Sequence, residues 1–258
     1  MFAKERQKKI SELIQKDGAV TTGKLMELFG VSIETVRRDL LTLEQTGQLQ
    51  RVHGGAVKKG DMKPFQQLQQ RNQSYRTEKD ELARAAMDYI QEGDILWIDN
   101  GSTAVSVAEA IKARFSCLTV VTCSADVFEI LRGHRDISII LCGGHFMQGE
   151  NMFVGALTLD MMRSIHVSKA LLHPAAISLE HGICCYLSEE QQIQRQVLRS
   201  ADEIFCLADS SKFEQKALLK VCDINPAYHY VTDSSLPEEL KKLYEENGIE
   251  IILGGTKA

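Results

Sequence analysis

From Glu78 onward, short β-branched and aliphatic runs alternate with helical patterns, and this alternation constrains the fold more than any other feature of the chain. Strands are expected at Ile95–Ile98, Leu118–Val121, Ile137–Leu141, Val167–Leu172, Ile204–Ala208, Tyr228–Thr232 and Ile249–Leu253. Helices are expected between them at Leu82–Gln91, Ala104–Arg114, Ala125–Leu131, Leu157–Arg163, Glu189–Arg199 and Pro237–Asn247. Strand-then-helix repetition predicts an α/β main domain, a mostly parallel sheet with helices on both faces. Such sheets bind ligands beyond the carboxyl ends of their strands. Polar or glycine residues stand at those ends here: Asp99, Thr122, Gly143-Gly144, His173, Asp209 and Asp233.

The 258 residues are 44% hydrophobic and 25% charged, which excludes a disordered tail, a fibrous repeat and a disulfide-stapled mini-domain. Apolar stretches such as Leu118–Val121 and Ile137–Cys142 fall far short of the roughly 18 residues that span a bilayer. The first residues are charged, with no apolar core behind them, so no secretory signal is expected and the chain is read as cytoplasmic, without a membrane partner. The seven cysteines are odd in number, and Cys184-Cys185 has no second pair at zinc-ligand spacing. Neither a metal site nor a cofactor is expected.

Charge divides unevenly along the chain. Residues 1–60 hold 11 Lys and Arg against 7 Asp and Glu, while the remainder holds 19 against 28. A basic N-terminal module on an acidic body points any polyanionic partner toward the N-terminus. That module reads as three short helices and a hairpin. Ile10, Leu13 and Ile14 give Arg6–Lys16 one apolar face, and Gly18 ends it. Thr21 or Thr22 caps a second helix holding Leu25, Leu28 and Phe29, which Gly30 stops. Ser32 caps a third, with Val36, Leu40 and Leu43 inward and Ile33, Glu34, Thr35, Arg37 and Arg38 on the exposed side. A short strand at Leu49–Val52, a turn at His53-Gly54-Gly55 and a returning strand at Ala56–Lys58 complete it.

Two helices joined by a tight glycine-containing turn form a helix-turn-helix, whose second helix enters the DNA major groove. Arg37 and Arg38 are the foremost candidates for DNA contact, because arginine pairs with guanine edges. Ser32 and Thr35 follow, and Arg51 and His53, with Lys58 and Lys59, form a wing for phosphate contacts. The alternative for Arg37-Arg38 is a solvated face bridged to Glu34 and Asp39. The Gln-, Lys- and Arg-rich stretch 59–77, with Pro64 and few apolar residues, reads as a linker between a domain at 1–58 and one at 78–258.

Thr22, Leu25, Leu28-Phe29, Val31-Ser32, Thr35-Val36-Arg37-Arg38-Asp39-Leu40, Leu43-Glu44, Gly47, Leu49, Arg51 and His53-Gly54-Gly55-Ala56 resemble the signature of the DeoR family of bacterial transcriptional regulators. The likeness continues more loosely through Asp99-Asn100-Gly101-Ser102-Thr103, Thr122-Cys123-Ser124, Gly143-Gly144 and Asp209-Ser210-Ser211-Lys212-Phe213. The resemblance implies a small winged helix-turn-helix domain and a large domain similar to ribose-5-phosphate isomerases and coenzyme A transferases. It implies a sequence-specific regulator, a repressor of a carbohydrate-metabolism operon, controlled by a phosphorylated sugar or related metabolite. Double-stranded operator DNA is the implied partner, read by a homo-oligomer, a dimer or a tetramer.

The matching pieces suit a sugar phosphate. Asp99 would bind hydroxyls, and Gly101, Ser102 and Thr103 open a helix whose amides and dipole favour phosphate. Ser124 would do the same at the next helix, Gly143 and Gly144 allow close backbone approach, and Lys212 supplies a point charge. Trp97, two residues before Asp99, would report ligand entry by fluorescence. The chain also departs from the family's pattern, with Cys123 where Asn is common, His173-Pro174-Ala175-Ala176 in place of glycines, and Cys184-Cys185 where Thr is usual. His173 is either a ligand contact or a plug of the pocket. Two alternatives stand beside the regulator with an effector: a regulator whose large domain serves only assembly, and a sugar-phosphate isomerase using Asp99, Lys212 and Glu189 or Glu190. No catalytic residue is assigned, because fold similarity does not establish chemistry.

Overall fold

The computed structural model describes residues 2–52, 54–57 and 65–255. Its N-terminal unit runs α1 (Ala3–Asp17), β1 (Ala19–Thr21), α2 (Thr22–Phe29), α3 (Ile33–Gln45), β2 (Gln50–Val52) and β3 (Gly55–Val57). Thr21 caps α2 by accepting from the Lys24 amide at 3.1 Å, and Gly30 ends that helix in the left-handed conformation. The Ser32 hydroxyl accepts from the Thr35 amide to start α3. Ile10, Ile14, Leu25, Val36, Leu40, Leu43 and Leu49 close a small core of their own. The strands form an antiparallel sheet in the order β1-β3-β2. Strand β1 is absent from the sequence reading, because three residues are too few to show alternation.

Asp39 binds this unit together. Instead of bridging Arg37 or Arg38 on the surface, its carboxylate is buried and accepts from Arg6 Nε at 2.8 Å and Gln7 Nε2 at 3.0 Å, which ties α1 to α3.

The segment read as a linker carries structure in its described part. Helix α4 (Leu68–Gln73) buries Leu68, and α5 (Arg76–Ala86) begins well before the expected Leu82. A single buried leucine gives α4 no visible periodicity. Strand β4 (Ile95–Ile98), α6 (Ser102–Arg114), β5 (Leu118–Thr122), α7 (Ala125–Leu131) and β6 (Ile137–Leu141) follow as expected. A hairpin of β7 (His145–Met147) and β8 (Met152–Val154) then leads into α8 (Ala156–Arg163) and β9 (Val167–Leu172). Next come β10 (Ala176–Ser178), β11 (Gly182–Cys185), α9 (Ser188–Val197), β12 (Ala201–Leu207), β13 (Leu219–Cys222), β14 (His229–Thr232), α10 (Glu238–Glu246) and β15 (Ile251–Leu253).

Seven strands form one sheet, parallel throughout, in the order β15-β14-β12-β9-β4-β5-β6. Alternation along each strand feeds two cores. Leu96, Ile98, Val120, Leu171, Phe205 and Val231 face Leu82 of α5 and Val107 and Ile111 of α6. Trp97, Val121, Ala170, Leu172, Cys206 and Tyr230 face Met162 of α8, Ile193 and Val197 of α9 and Tyr244 of α10. Each fully buried aliphatic side chain contributes about 1.5–3 kcal/mol. The chain leaves β4 toward β5 and leaves its neighbour β9 toward β12, on the other side, so the strand order reverses between β4 and β9. A crevice at the strand ends follows from that reversal. A second, antiparallel sheet, β10-β11-β13, covers one side of it.

Removing the buried Asp39 carboxylate takes away an acceptor shared by two half-buried donors, Arg6 and Gln7. Asp39→Ala is expected to destabilise the N-terminal unit by roughly 3 kcal/mol, read as a lower urea midpoint; an unchanged midpoint would show that the Arg6 and Gln7 contacts are dispensable.

Candidate functional site

Two constellations stand out, one on the N-terminal unit and one at the sheet reversal. On α3, Ser32, Arg37 and Arg38 are exposed and Thr35 half-buried, all within its first two turns. Arg37 Nη1 reaches Glu34 Oε1 at 3.1 Å, but both side chains are more than half exposed, 60% and 72%, so the pair is readily surrendered to a phosphate or a base. Among the described residues Arg38 has no carboxylate partner. The Ser32 and Thr35 hydroxyls lie 3.1 Å apart and bond each other. Arg51 on β2 donates from Nε to Glu44 Oε2 at 2.7 Å and from its backbone amide to Oε1 at 2.9 Å, fastening the wing to the end of α3. Burial raises the Glu44 pKa, but the bonds from Arg51 outweigh it and hold that carboxyl below its ordinary value. His53, Lys58 and Lys59 lie outside the described residues.

The second constellation is a cavity of about 290 Å³ at the carboxyl ends of β4, β9 and β12. Its walls include Gly101, Ser102 and Thr103 at the start of α6, Lys212 and Lys216, His173, Glu190, Asp209 and Tyr186. Residues Phe65, Gln66, Arg71 and Tyr75 close the remaining side. Gly101 takes φ 123°, a backbone conformation that side chains rarely allow, and so turns the chain into the helix. The first amides of α6 have no carbonyl four residues back to accept them, and the helix dipole adds positive potential there. The volume stands at the lower end of small-molecule sites, about 300–1,000 Å³.

Of the residues expected to contact an effector, the structure brings Gly101, Ser102, Thr103 and Lys212 together. Asp99 lies behind the wall: its buried carboxylate accepts from Gln194 Nε2 at 2.8 Å and from the amides of Asn100 and His173 at 2.9 and 3.3 Å. Ser124 is fully buried, caps α7 and lies outside the cavity. Gly143 and Gly144 do not line the cavity: the Gly143 carbonyl accepts from Thr158 Oγ1 at 2.9 Å, and at Gly144 a Cβ would stand 2.2 Å from the Thr158 hydroxyl oxygen, so Gly144 is a close-packing position. Trp97 packs into the opposite core instead of lining the cavity. Arg71, Tyr75 and Tyr186 escape sequence reasoning. Arg71 lies in a stretch without periodicity, and Tyr186 follows a strand too short to recognise.

Buried polar atoms without partners concentrate here. On the wall they are both ring nitrogens of His173, Asp209 Oδ2 and Arg71 Nε; Asn100 Oδ1 and Gln194 Oε1 lie behind it, beside Asp99. Unsatisfied buried groups are uncommon in folded proteins, and a cluster of them marks a place completed by water or a ligand. Burial shifts the charges as well. It pushes Asp99 up to about 6 against the bonds from Gln194 and the amides of Asn100 and His173. It pushes His173 down to about 4, so the imidazole is neutral near pH 7. Glu190 is pushed up to about 8 by burial, with Arg71 opposing and Glu150 and Asp99 adding to the rise. Lys79, buried under α4, falls to about 8 through burial, although Asp209 opposes the fall. Among the described residues no cluster of three His, Cys, Asp or Glu is placed to hold a metal, and no helix is long and apolar enough to cross a membrane.

A winged helix-turn-helix carrying exposed arginines, joined to a parallel-sheet domain with a cavity at its strand ends, defines a DNA-binding transcriptional regulator with a sensor domain. Residues 6–59 match the DeoR-like helix-turn-helix domain and residues 74–234 the DeoR C terminal sensor domain. The chain belongs to the DeoR family of transcriptional regulators. It is 32% identical over 248 residues to the transcriptional repressor AccR of Agrobacterium fabrum, covering 93% of this chain and 96% of that one. It is 28% identical over 253 residues to the HTH-type transcriptional repressor GlcR of Bacillus subtilis, covering 98% and 97%. With the lactose phosphotransferase system repressor of Lactococcus lactis it shares 33% over 217 residues, 83% of this chain and 85% of that one. Ribose 5-phosphate isomerase A of Methanocaldococcus jannaschii is similar at 17% identity over 55% of this chain and 56% of that one, with a TM-score of 0.40, too slight to bear on chemistry or ligand.

The raised pKa of Glu190 has a definite consequence for stability. Between its ordinary 4.5 and about 8 the folded chain holds a proton that the unfolded chain has released, so this group lowers stability as pH rises through that window. Glu190→Gln should therefore gain in melting temperature over wild type as the pH is raised across the window; a constant difference would mean that the carboxyl is ordinarily ionised.

Proposed function

We propose that this regulator is a repressor of a carbohydrate-metabolism operon, and that a phosphorylated sugar or related metabolite in the cavity at the β4–β9 reversal alters its affinity for operator DNA. The observation that carries the reading is the company the cavity keeps. The α6 N-terminus and Lys212 suit a phosphate, while neutral His173, Glu190 and Asp209 offer hydrogen bonds to hydroxyls. Relatives named for repressing the lactose phosphotransferase system and the glycerol-3-phosphate regulon support the carbohydrate assignment. The effector residues are thus Gly101, Ser102, Thr103 and Lys212, joined by His173, Glu190 and Asp209. On the DNA side Arg37 and Arg38 read bases, and Ser32, Thr35, Arg51 and His53 hold the backbone. A symmetric homo-oligomer in the cytoplasm, reading two half-sites, completes the proposal.

An assembly-only large domain fits less well, since it gives no reason for the orphaned polar atoms of His173, Asp209 and Arg71 on one cavity wall. His173 leaves about 290 Å³ open beside it, which favours a contact over a plug. The isomerase reading is weakened by Asp99, whose carboxylate is engaged by Gln194 and two amides and does not line the cavity.

Genomic fragments selected by the purified chain, titrated at several salt concentrations, test the DNA reading. Arg38→Ala should cost about 1–3 kcal/mol of operator affinity and relax specificity at one position. Equal affinity at physiological salt would remove Arg38 from base reading. Lys212→Ala should weaken binding of a sugar phosphate roughly ten- to a hundredfold, the loss of one charge-assisted bond of about 1.5–3 kcal/mol, with operator affinity of the ligand-free protein unchanged. Retained effector affinity in that variant would displace the phosphate from this end of the cavity.

A further inference from the structure

We propose that Arg71, on the segment that leads from the DNA-binding unit into the sensor, is a phosphate-binding residue of the cavity, and that it exchanges Glu150 for the bound phosphate. The proposal rests on the reading of the cavity as an anion site. The winged unit ends with β3 at Val57, and the chain re-enters the described structure at Phe65; Phe65, Gln66, Arg71 and Tyr75 all line the cavity. The ligand space is therefore walled by the connector itself.

The side chain is poised for such an exchange. Arg71 Nη2 pairs with the buried carboxylate of Glu150 in the turn between β7 and β8, while Nε is buried without a partner. Nη1 stands 3.7 Å from where a Cβ on Gly101 would be, so the guanidinium already borders the first turn of α6. Asp209, 1% exposed, turns an unpartnered Oδ2 at the same cavity, which points to an occupant independently of the helix terminus. Glu150 pairs with this guanidinium, and the charge of Arg71 also reaches Glu190, another carboxyl of the cavity wall. A phosphate seated on the α6 amides offers the arginine fork a bidentate partner in competition with Glu150.

The connector is built to pass on that movement. Lys79 Nζ donates to the carbonyls of Arg71 and Ser74, both at 2.6 Å, which locks the end of α4 onto α5. Between the helices Tyr75 is held at φ 55°, ψ 39°, a left-handed conformation that a bulky residue adopts only under constraint. At the other end the guanidinium lies 5.8 Å from the centre of the Phe65 ring, and that ring packs edge-on against Tyr186 at 5.5 Å. With the α4–α5 end locked, displacement of the guanidinium is felt at Phe65, the described connector residue nearest the winged unit in the chain.

The test uses the full chain, calorimetry with inorganic phosphate and a panel of sugar phosphates, and amide hydrogen exchange. Arg71→Ala should weaken phosphate binding tenfold or more, and Arg71→Lys, which keeps the charge without the fork, by less. Glu150→Gln, which releases the guanidinium, should tighten it. In the wild type, phosphate should change the exchange rates of amides 65–75. The wild-type exchange pattern and the Lys variant keep the test decisive should the Ala variant fail to fold. Wild-type affinity in Arg71→Ala, weakened binding in Glu150→Gln, or ligand uptake that leaves amides 65–75 unaltered would overturn the exchange while sparing the anion site. If the wild type takes up neither inorganic phosphate nor any sugar phosphate, both readings fall together.

Discussion

Seven parallel strands end on one side of the sheet, and the chain must run away from β4 and β9 in opposite directions. These two facts place a gap where no crossover helix can pack, with helix N-termini and strand-end polar groups around it. Everything functional in the large domain follows from that geometry. The gap collects positive potential from α6 and Lys212, and it leaves His173, Asp209 and Arg71 with polar atoms that no neighbour satisfies. Arg71 and Asp209 are bonded through one atom and left open at another, and the His173 ring is left open at both nitrogens. The low dielectric that makes orphaned atoms costly also strengthens any ligand bond that satisfies them.

The same geometry bears on how the proposed sensor would act on the DNA-binding helix, whose Ile33, Arg37 and Leu40 share a second cavity with Glu150, Tyr186 and Glu189. The crevice needs a fourth side, and the structure supplies it from the stretch that follows the winged unit. The coupling therefore needs no long pathway through the sheet. The N-terminal unit, for its part, is a separate core, tied by Asp39 to Arg6 and Gln7. A unit that holds its own shape can be moved as a body, which is what repositioning α3 against DNA requires.

Much of this was legible in the sequence, for identifiable reasons. Ile95–Ile98, Ile137–Leu141 and Val167–Leu172 are β-branched or aliphatic runs with clear stops, and their ends coincide with the strands. Ala125–Leu131 coincides likewise, because Ser124 announces it. The antiparallel pieces β7, β8, β10, β11 and β13 are three or four residues long and leave no periodic trace. Charge misled in two places. Asp39 sits beside two arginines in the chain and reads as their surface partner, yet the helix turns it inward. Arg71 lies among glutamines and reads as linker, yet it reaches a buried carboxylate. For the cavity, Gly101, Ser102, Thr103 and Lys212 were visible as strand-end motifs, whereas Ser124, Gly143 and Gly144 share that pattern but lie outside it, Ser124 as a cap and Gly144 at a tight contact. Local patterning marks a turn; only the sheet order decides which turns converge.

The central claim is that the cavity and the DNA-reading helix are thermodynamically coupled. The direct measurement is effector affinity, by calorimetry, for the free protein and for the protein saturated with its selected operator. Coupling is reciprocal, so the factor by which operator changes effector affinity must equal the factor by which effector changes operator affinity. We predict a common factor of at least about five, the lower end of ordinary allosteric coupling. Equal effector affinity in the free and operator-bound protein would contradict the account and leave the large domain a scaffold.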